Sequence, residues 1–130
     1  MTTTLRRSIA TATIAGLVAG PLAVMTAGPA SAKEREGRCS GAEFQLEVEK
    51  EDGRFEVDAD IDDARPGERW KVALRHEGRL YVNKTYRADG DGDISIDRNR
   101  PNTRGKDTFS MTVKKVGTSK RCTHVISFRR

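Results

Sequence analysis

The sequence predicts an all-β protein: an antiparallel two-sheet sandwich of about seven strands, preceded by a cleaved signal peptide. Three observations carry this expectation. Apolar and polar residues alternate with a period of two almost everywhere in the mature chain, turn signals recur about every 8–12 residues, and no window sustains a helical period.

The chain opens with an export signal over residues 1–32. Arg6 and Arg7 form a basic start, Ser8 to Gly28 runs apolar and small, and Ala30-Ser31-Ala32 supplies an A-x-A cleavage site before Lys33-Glu34-Arg35-Glu36. A spanning helix needs about 20 apolar residues, and Gly16, Gly20 and Pro21 interrupt this run. The Arg6-Arg7 pair hints at twin-arginine export, but Ile9 and Ala10 match that pattern poorly, so the general route is expected. No cysteine stands at the cleavage site to take a lipid, and no second apolar run follows. The mature domain, residues 33–130, is therefore expected to be secreted and extracellular, with no membrane contact after signal cleavage.

The strands follow in order. Phe44, Leu46 and Val48 alternate with Glu43, Gln45, Glu47 and Glu49, and Asp52-Gly53 then signals a hairpin turn. Phe55, Val57, Ala59 and Ile61 alternate with Glu56, Asp58 and Asp60. Arg65-Pro66-Gly67 turns the chain into Trp70, Val72 and Leu74. Glu77-Gly78 leads to Leu80 and Val82. Gly90 and Gly92 break the chain before Ile94 and Ile96. A polar loop from Arg98 to Lys106 precedes Phe109, Met111 and Val113, and after Gly117 the last strand carries Cys122, Ile126 and Phe128. Strict alternation means strands with one face buried and one wet, and two to four inward residues per strand suit a thin two-sheet core.

Cys39 and Cys122 are the only cysteines. In an oxidising compartment this even pair predicts one disulfide. The bridge closes an 84-residue loop, which on the chain-entropy account contributes about 4–5 kcal/mol, a large share of the ~5–15 kcal/mol typical of a domain.

These features resemble an immunoglobulin-like sandwich. Trp70 sits on the third expected strand, where such folds bury a Trp. Gly105-Lys106-Asp107-Thr108-Phe109-Ser110-Met111-Thr112-Val113 is similar to the run that opens the sixth strand of many bacterial domains of this kind, and Ala88-Asp89-Gly90-Asp91-Gly92 is similar to the turn before their fifth. The chain also resembles small secreted single-domain proteins of actinobacteria, a group without a well-defined activity. The resemblance implies that the first, second and fifth strands share a sheet opposite the third, fourth, sixth and seventh. The chain departs from antibody-type domains in two respects. Cys39 is expected before the first strand, so the bridge would staple the edges of the domain, and Phe109 has no hydroxyl for a tyrosine corner.

Charge is unevenly placed. The mature chain has 22 basic and 19 acidic residues, net +3, which argues against nucleic acid as the partner. Lys33 to Asp97 carries net −6 and Arg98 to Arg130 carries net +9. Combined with the alternation and the implied topology, this predicts an acidic sheet face bearing Glu43, Glu47, Glu49, Glu56, Asp58, Asp60, Asp93 and Asp97. The opposite face would carry Lys71, Arg75, Arg79, Lys114 and Arg129, with Tyr81 and Val125 exposed among them, and Arg98, Arg100, Arg104 and Lys106 would lie on a loop between the sheets.

Three functional expectations follow. The first is a non-enzymatic binding or structural module whose basic face holds an anionic wall polymer or an acidic secreted protein, or whose two faces attract each other head to tail, with charge that serves solubility alone as the alternative to both. The second is a secreted inhibitor of an extracellular hydrolase that presents the Arg98–Lys106 loop, stiffened by Pro101. The third, an enzyme, has no support: the serines have no recognisable nucleophile setting, and carboxylates on a flat wet face lack the burial that tunes catalytic groups. No cofactor is expected. Asp89, Asp91 and Asp93 offer oxygens at alternate positions, but Ile94 stands where a calcium loop needs Gly and Arg100 where it needs an acid, so a Gly-rich turn is the expected reading.

Overall fold

In the computed structural model, residues 31–129 are described. They form two four-stranded antiparallel sheets packed as a sandwich. The strands are β1 (Ser31–Cys39), β2 (Ala42–Glu51), β3 (Arg54–Asp62), β4 (Arg69–His76), β5 (Arg79–Arg87), β6 (Ile94–Pro101), β7 (Asp107–Lys115) and β8 (Arg121–Phe128). The first sheet has the order β1-β2-β3-β6 and the second β5-β4-β7-β8. The signal-peptide reading of residues 1–32 lies outside the described residues except for Ser31 and Ala32, the first two residues of β1.

The seven expected strands are β2 to β8, and the alternation maps directly onto burial. Phe44, Leu46, Val48, Phe55, Val57, Ala59 and Ile61 from the first sheet meet Trp70, Val72, Leu74, Phe109, Met111 and Val113 from the second, all buried. The indole N–H of Trp70 donates to Glu68 Oε1 at 2.8 Å, so the largest core residue leaves no orphaned donor. Ser40-Gly41, Asp52-Gly53 and Glu77-Gly78 each place two consecutive residues at positive φ, which matches the right-handed twist of the strands they join. Gly92 is required for another reason: a Cβ there would lie 2.0 Å from the Ala64 carbonyl oxygen.

The eighth strand, β1, corrects the expected count. It pairs with β2 from Ser31↔Lys50 to Cys39↔Ala42, so Cys39 ends β1 instead of preceding the first strand. No apolar alternation marks β1, because it is an edge strand whose inward positions are Lys33, Arg35 and Gly37. Such charges discourage pairing with other chains. The Ser40-Gly41 dipeptide was the available signal for this hairpin.

Both open sides of the sandwich are closed. On one side β1 meets β8. The Cys39–Cys122 disulfide links these two edge strands with their Cα atoms 6.0 Å apart, as the edge-staple expectation required. Beside it His124 stacks on Phe44 with ring centroids 3.9 Å apart, and the Lys33 ammonium donates to the Ser127 carbonyl at 2.6 Å. On the other side β6 meets β5. Arg98 and Arg100 are strand residues of β6, not loop residues, at positions whose ladder partners are the buried Val57 and Phe55. The Arg100 guanidinium covers the Tyr81 ring at 4.4 Å.

One buried polar network sits among the aromatics at the end of β4. His76 is the buried last residue of that strand. Its Nε2–H donates to Asp107 Oδ1 at 2.7 Å, and the Thr103 hydroxyl donates to the same oxygen at 2.6 Å. Burial alone would raise the Asp107 carboxyl, but the bonds from Thr103 and His76 outweigh it and hold the group below its usual range. Asp107 thereby ties the loop from 102 to 106 to the end of β4.

Two outcomes follow. Replacing both cysteines by serine lowers unfolding free energy by about 4–5 kcal/mol, read by denaturant titration of oxidised wild type against the variant. Asp107→Ala leaves His76 and Thr103 without their acceptor and costs about 3 kcal/mol in the same assay.

Candidate functional site

The outer face of the second sheet is built by register. Lys71 on β4 stands opposite Lys114 on β7, and Lys114 opposite Arg121 on β8. Three cations thus line up across three neighbouring strands. One level along, Ala73 stands between Asn83 on β5 and Thr112 on β7, with Thr123 beyond it. The next level carries Leu80, Arg75, Ser110 and Val125. Small residues between the cation row and Arg75 leave a shallow depression of about 200 Å³ lined by Lys71, Ala73, Arg75, Asn83, Thr112, Lys114 and Arg121. Among the described residues no carboxylate lies within ion-pair distance of these cations; the ion pairs present are His76–Asp107 and Lys115–Glu68.

Lys71, Arg75 and Lys114 therefore come together as expected from alternation, and Val125 is 51% exposed on the same face. Arg121 was missed, although its neighbour Cys122 points inward and parity turns Arg121 outward. Three residues assigned to this face are elsewhere. Arg79 lies at the hairpin end of β5, opposite His76. Arg129 is exposed beyond the end of β8. Tyr81 is half-buried against the core. A bulge opposite Leu74 and Arg75 leaves Tyr81 without a ladder partner, and the extra residue reverses the side it presents. Burial pushes its hydroxyl up to about 12, against the opposing charges of Arg100 and Arg98. Arg104 and Lys106 are exposed on the short loop from 102 to 106.

The outer face of the first sheet carries the opposite charge. Glu34, Glu47, Asp58 and Asp97 stand directly opposite one another across β1, β2, β3 and β6. Glu49 faces Glu56 at the next level on one side, and Glu43 faces Asp62 two levels away on the other. Partial burial first, then the hydrogen bond and charge of Asp97 and the charges of Glu56 and Asp60, push the Asp58 carboxyl up to about 7. Burial together with Asp93 and Asp60 also raises Asp62. Asp58 and Asp62 thus resist ionisation because partial burial, and after it the like charges beside them, favour the protonated form.

Two other clusters carry hydrogen bonds of their own. Asp89, Asp91 and Asp93 bring ligand oxygens within 4.8 Å of one another, but Asp89 Oδ1 already accepts the N–H groups of Asp91 and Asp93, each at 2.9 Å. His76, Glu77 and Asp107 also cluster. There His76 and Asp107 bond each other, and Glu77 accepts the Thr108 N–H.

The acidic row has a testable pH signature. The folded-state affinity of Asp58 for protons exceeds the unfolded one, so its contribution to stability is greatest below about pH 4 and is lost as pH rises through about 7. His124, which burial holds below its usual range, works in the opposite sense below about pH 6.5. Comparison with Asp58→Asn separates the two. The variant is expected to exceed wild type by about 0.5–1 kcal/mol at pH 8 and to lose that advantage at pH 5. Melting curves at both values check this, and identical pH profiles for the two proteins would refute it.

No protein-family model matches the chain, and no curated protein matches it.

Proposed function

We propose that this chain is a secreted, non-enzymatic extracellular binding module whose basic sheet face holds a polyanion, such as an anionic wall polymer. The observation that carries this reading is the row Lys71, Lys114 and Arg121. Like charges placed directly opposite on neighbouring strands cost stability, and here no described carboxylate offsets the cost. An anionic ligand would supply that compensation. A depression of about 200 Å³ is smaller than the ~300–1,000 Å³ of an enclosing small-molecule pocket. It suits one phosphate, sulfate or carboxylate group at a time along a repeating polymer. Asn83 and Thr112 add hydrogen-bonding groups beside the charges. The Cys39–Cys122 bridge is consistent with an oxidising extracellular setting.

We read the sandwich as immunoglobulin-like. What supports this is the division of β2, β3 and β6 from β4, β5, β7 and β8, and the buried Trp70 on β4. The hydrolase-inhibitor reading draws less support, since Arg98 and Arg100 belong to β6 and the remaining loop is tied down through Asp107.

The test is retention on an isolated anionic cell-wall polymer at low and high salt. Neutralising the row with Lys71→Gln, Lys114→Gln and Arg121→Gln is expected to weaken binding about tenfold or more, since each charge contact is worth about 0.5–1 kcal/mol. High salt is expected to do the same to wild type. Salt-independent retention, or retention unchanged in the triple variant, would sink the proposal.

A further inference from the structure

We infer that the acidic outer face of the first sheet is a docking surface for the basic outer face of a second copy of this chain, giving open, head-to-tail association. The inference stands independently of polymer binding, although the two would compete for the same cations.

The argument is one of matched spacing. Neighbouring strands lie about 4.8 Å apart in any sheet. The row Glu34, Glu47, Asp58, Asp97 and the row Lys71, Lys114, Arg121 therefore share one pitch across the strands. The match extends along the strands. Arg75 lies four residues from Lys71, and the pair Glu43–Asp62 lies four residues from the pair Glu47–Asp58, about 13 Å in each case. Between these levels the basic face is small and uncharged at Ala73, Thr112 and Thr123. The acidic face there has Gln45 and Ser95, with Asp60 accepting the Ser95 hydroxyl at 2.6 Å and Glu36 at the β1 edge. A carboxylate row laid on the cation row relieves like-charge repulsion in both copies at once.

The two faces are the opposite outer surfaces of one sandwich. A symmetric dimer that buries the same patch twice would set like charge on like charge, so the complementary contact is heterologous and does not close on two copies. Among the described residues the exposed large apolar side chains are Leu80 and Val125, both on the basic face. The contact is therefore chiefly electrostatic and salt-sensitive.

The test is sedimentation of the secreted, oxidised protein without any polymer, at about 10 mM and about 1 M salt, where the screening lengths are about 30 Å and 3 Å. Wild type is expected to show concentration-dependent, open-ended growth at low salt and to be monomeric at high salt. One variant neutralises the acidic row (Glu47→Gln, Asp58→Asn, Asp97→Asn), and the other neutralises the basic row (Lys71→Gln, Lys114→Gln, Arg121→Gln). Each alone is expected to be monomeric at low salt. Their equimolar mixture is expected to form a 1:1 dimer, since one retains the basic face and the other the acidic face. Each variant loses like-charge repulsion, so each should melt no lower than wild type. A monomeric wild type at low salt overturns the inference. So does association that survives neutralisation of either row, or a mixture of two folded variants that stays monomeric.

Discussion

Everything in this molecule hangs on the register of its antiparallel ladders. Side chains alternate across a strand, so the pairing that buries Leu46, Val57 and Ile96 also sets Glu47, Asp58 and Asp97 in line outside. The same holds on the other sheet, where burying Val72 and Val113 brings Lys71, Lys114 and Arg121 into one row. A slip of one residue would exchange core for charge. The core therefore fixes the charge pattern, and the pattern cannot spread itself out without unmaking the core. Tight two-residue hairpins at Ser40-Gly41, Asp52-Gly53 and Glu77-Gly78 hold the same registers from the ends.

A two-sheet sandwich has open sides, and this one closes them by different chemistry. The β1–β8 side has a covalent bridge, a stacked His124–Phe44 pair and the Lys33 bond to Ser127. The β5–β6 side relies on Arg100 over Tyr81. Inward-directed arginines also protect the β6 edge from pairing with another chain. The Arg98 side chain is exposed, while Arg100 is half-buried and its Nε has no hydrogen-bond partner. The disulfide adds a covalent cross-link between the two sheets to the shared hydrophobic core, across a span of 83 residues.

The buried titratable pair, His76 and Asp107, is enclosed among Phe55, Phe109 and Thr103, with its hydrogen bonds directed at loop geometry. The unusual groups lie instead on the flat surfaces, where like charges face each other without internal compensation. Such an arrangement gains from a partner of opposite sign, and the proposed binding function rests on that gain.

Alternation and turn residues by themselves determined β2 to β5 and the cores of β6 to β8, the pairing of the two cysteines, and the inward residues except on β5, where the bulge turns Leu80 outward. They did so because half-buried strands impose a period of two and hairpins demand particular dipeptides. Other features were decided only in three dimensions. β1 has no apolar face, so the Ser40-Gly41 turn is its one mark in the sequence and its ladder with β2 establishes it. Arg98 and Arg100 read as loop because the apolar alternation stops at Ile96, yet β3 continues to pair with them. Tyr81 keeps strand parity in the sequence and loses it at a bulge. Arg121 joined the basic row through cross-strand register, which no single strand encodes. Local pattern specifies which way a side chain points within its strand; which residues stand beside it is settled by pairing between distant strands.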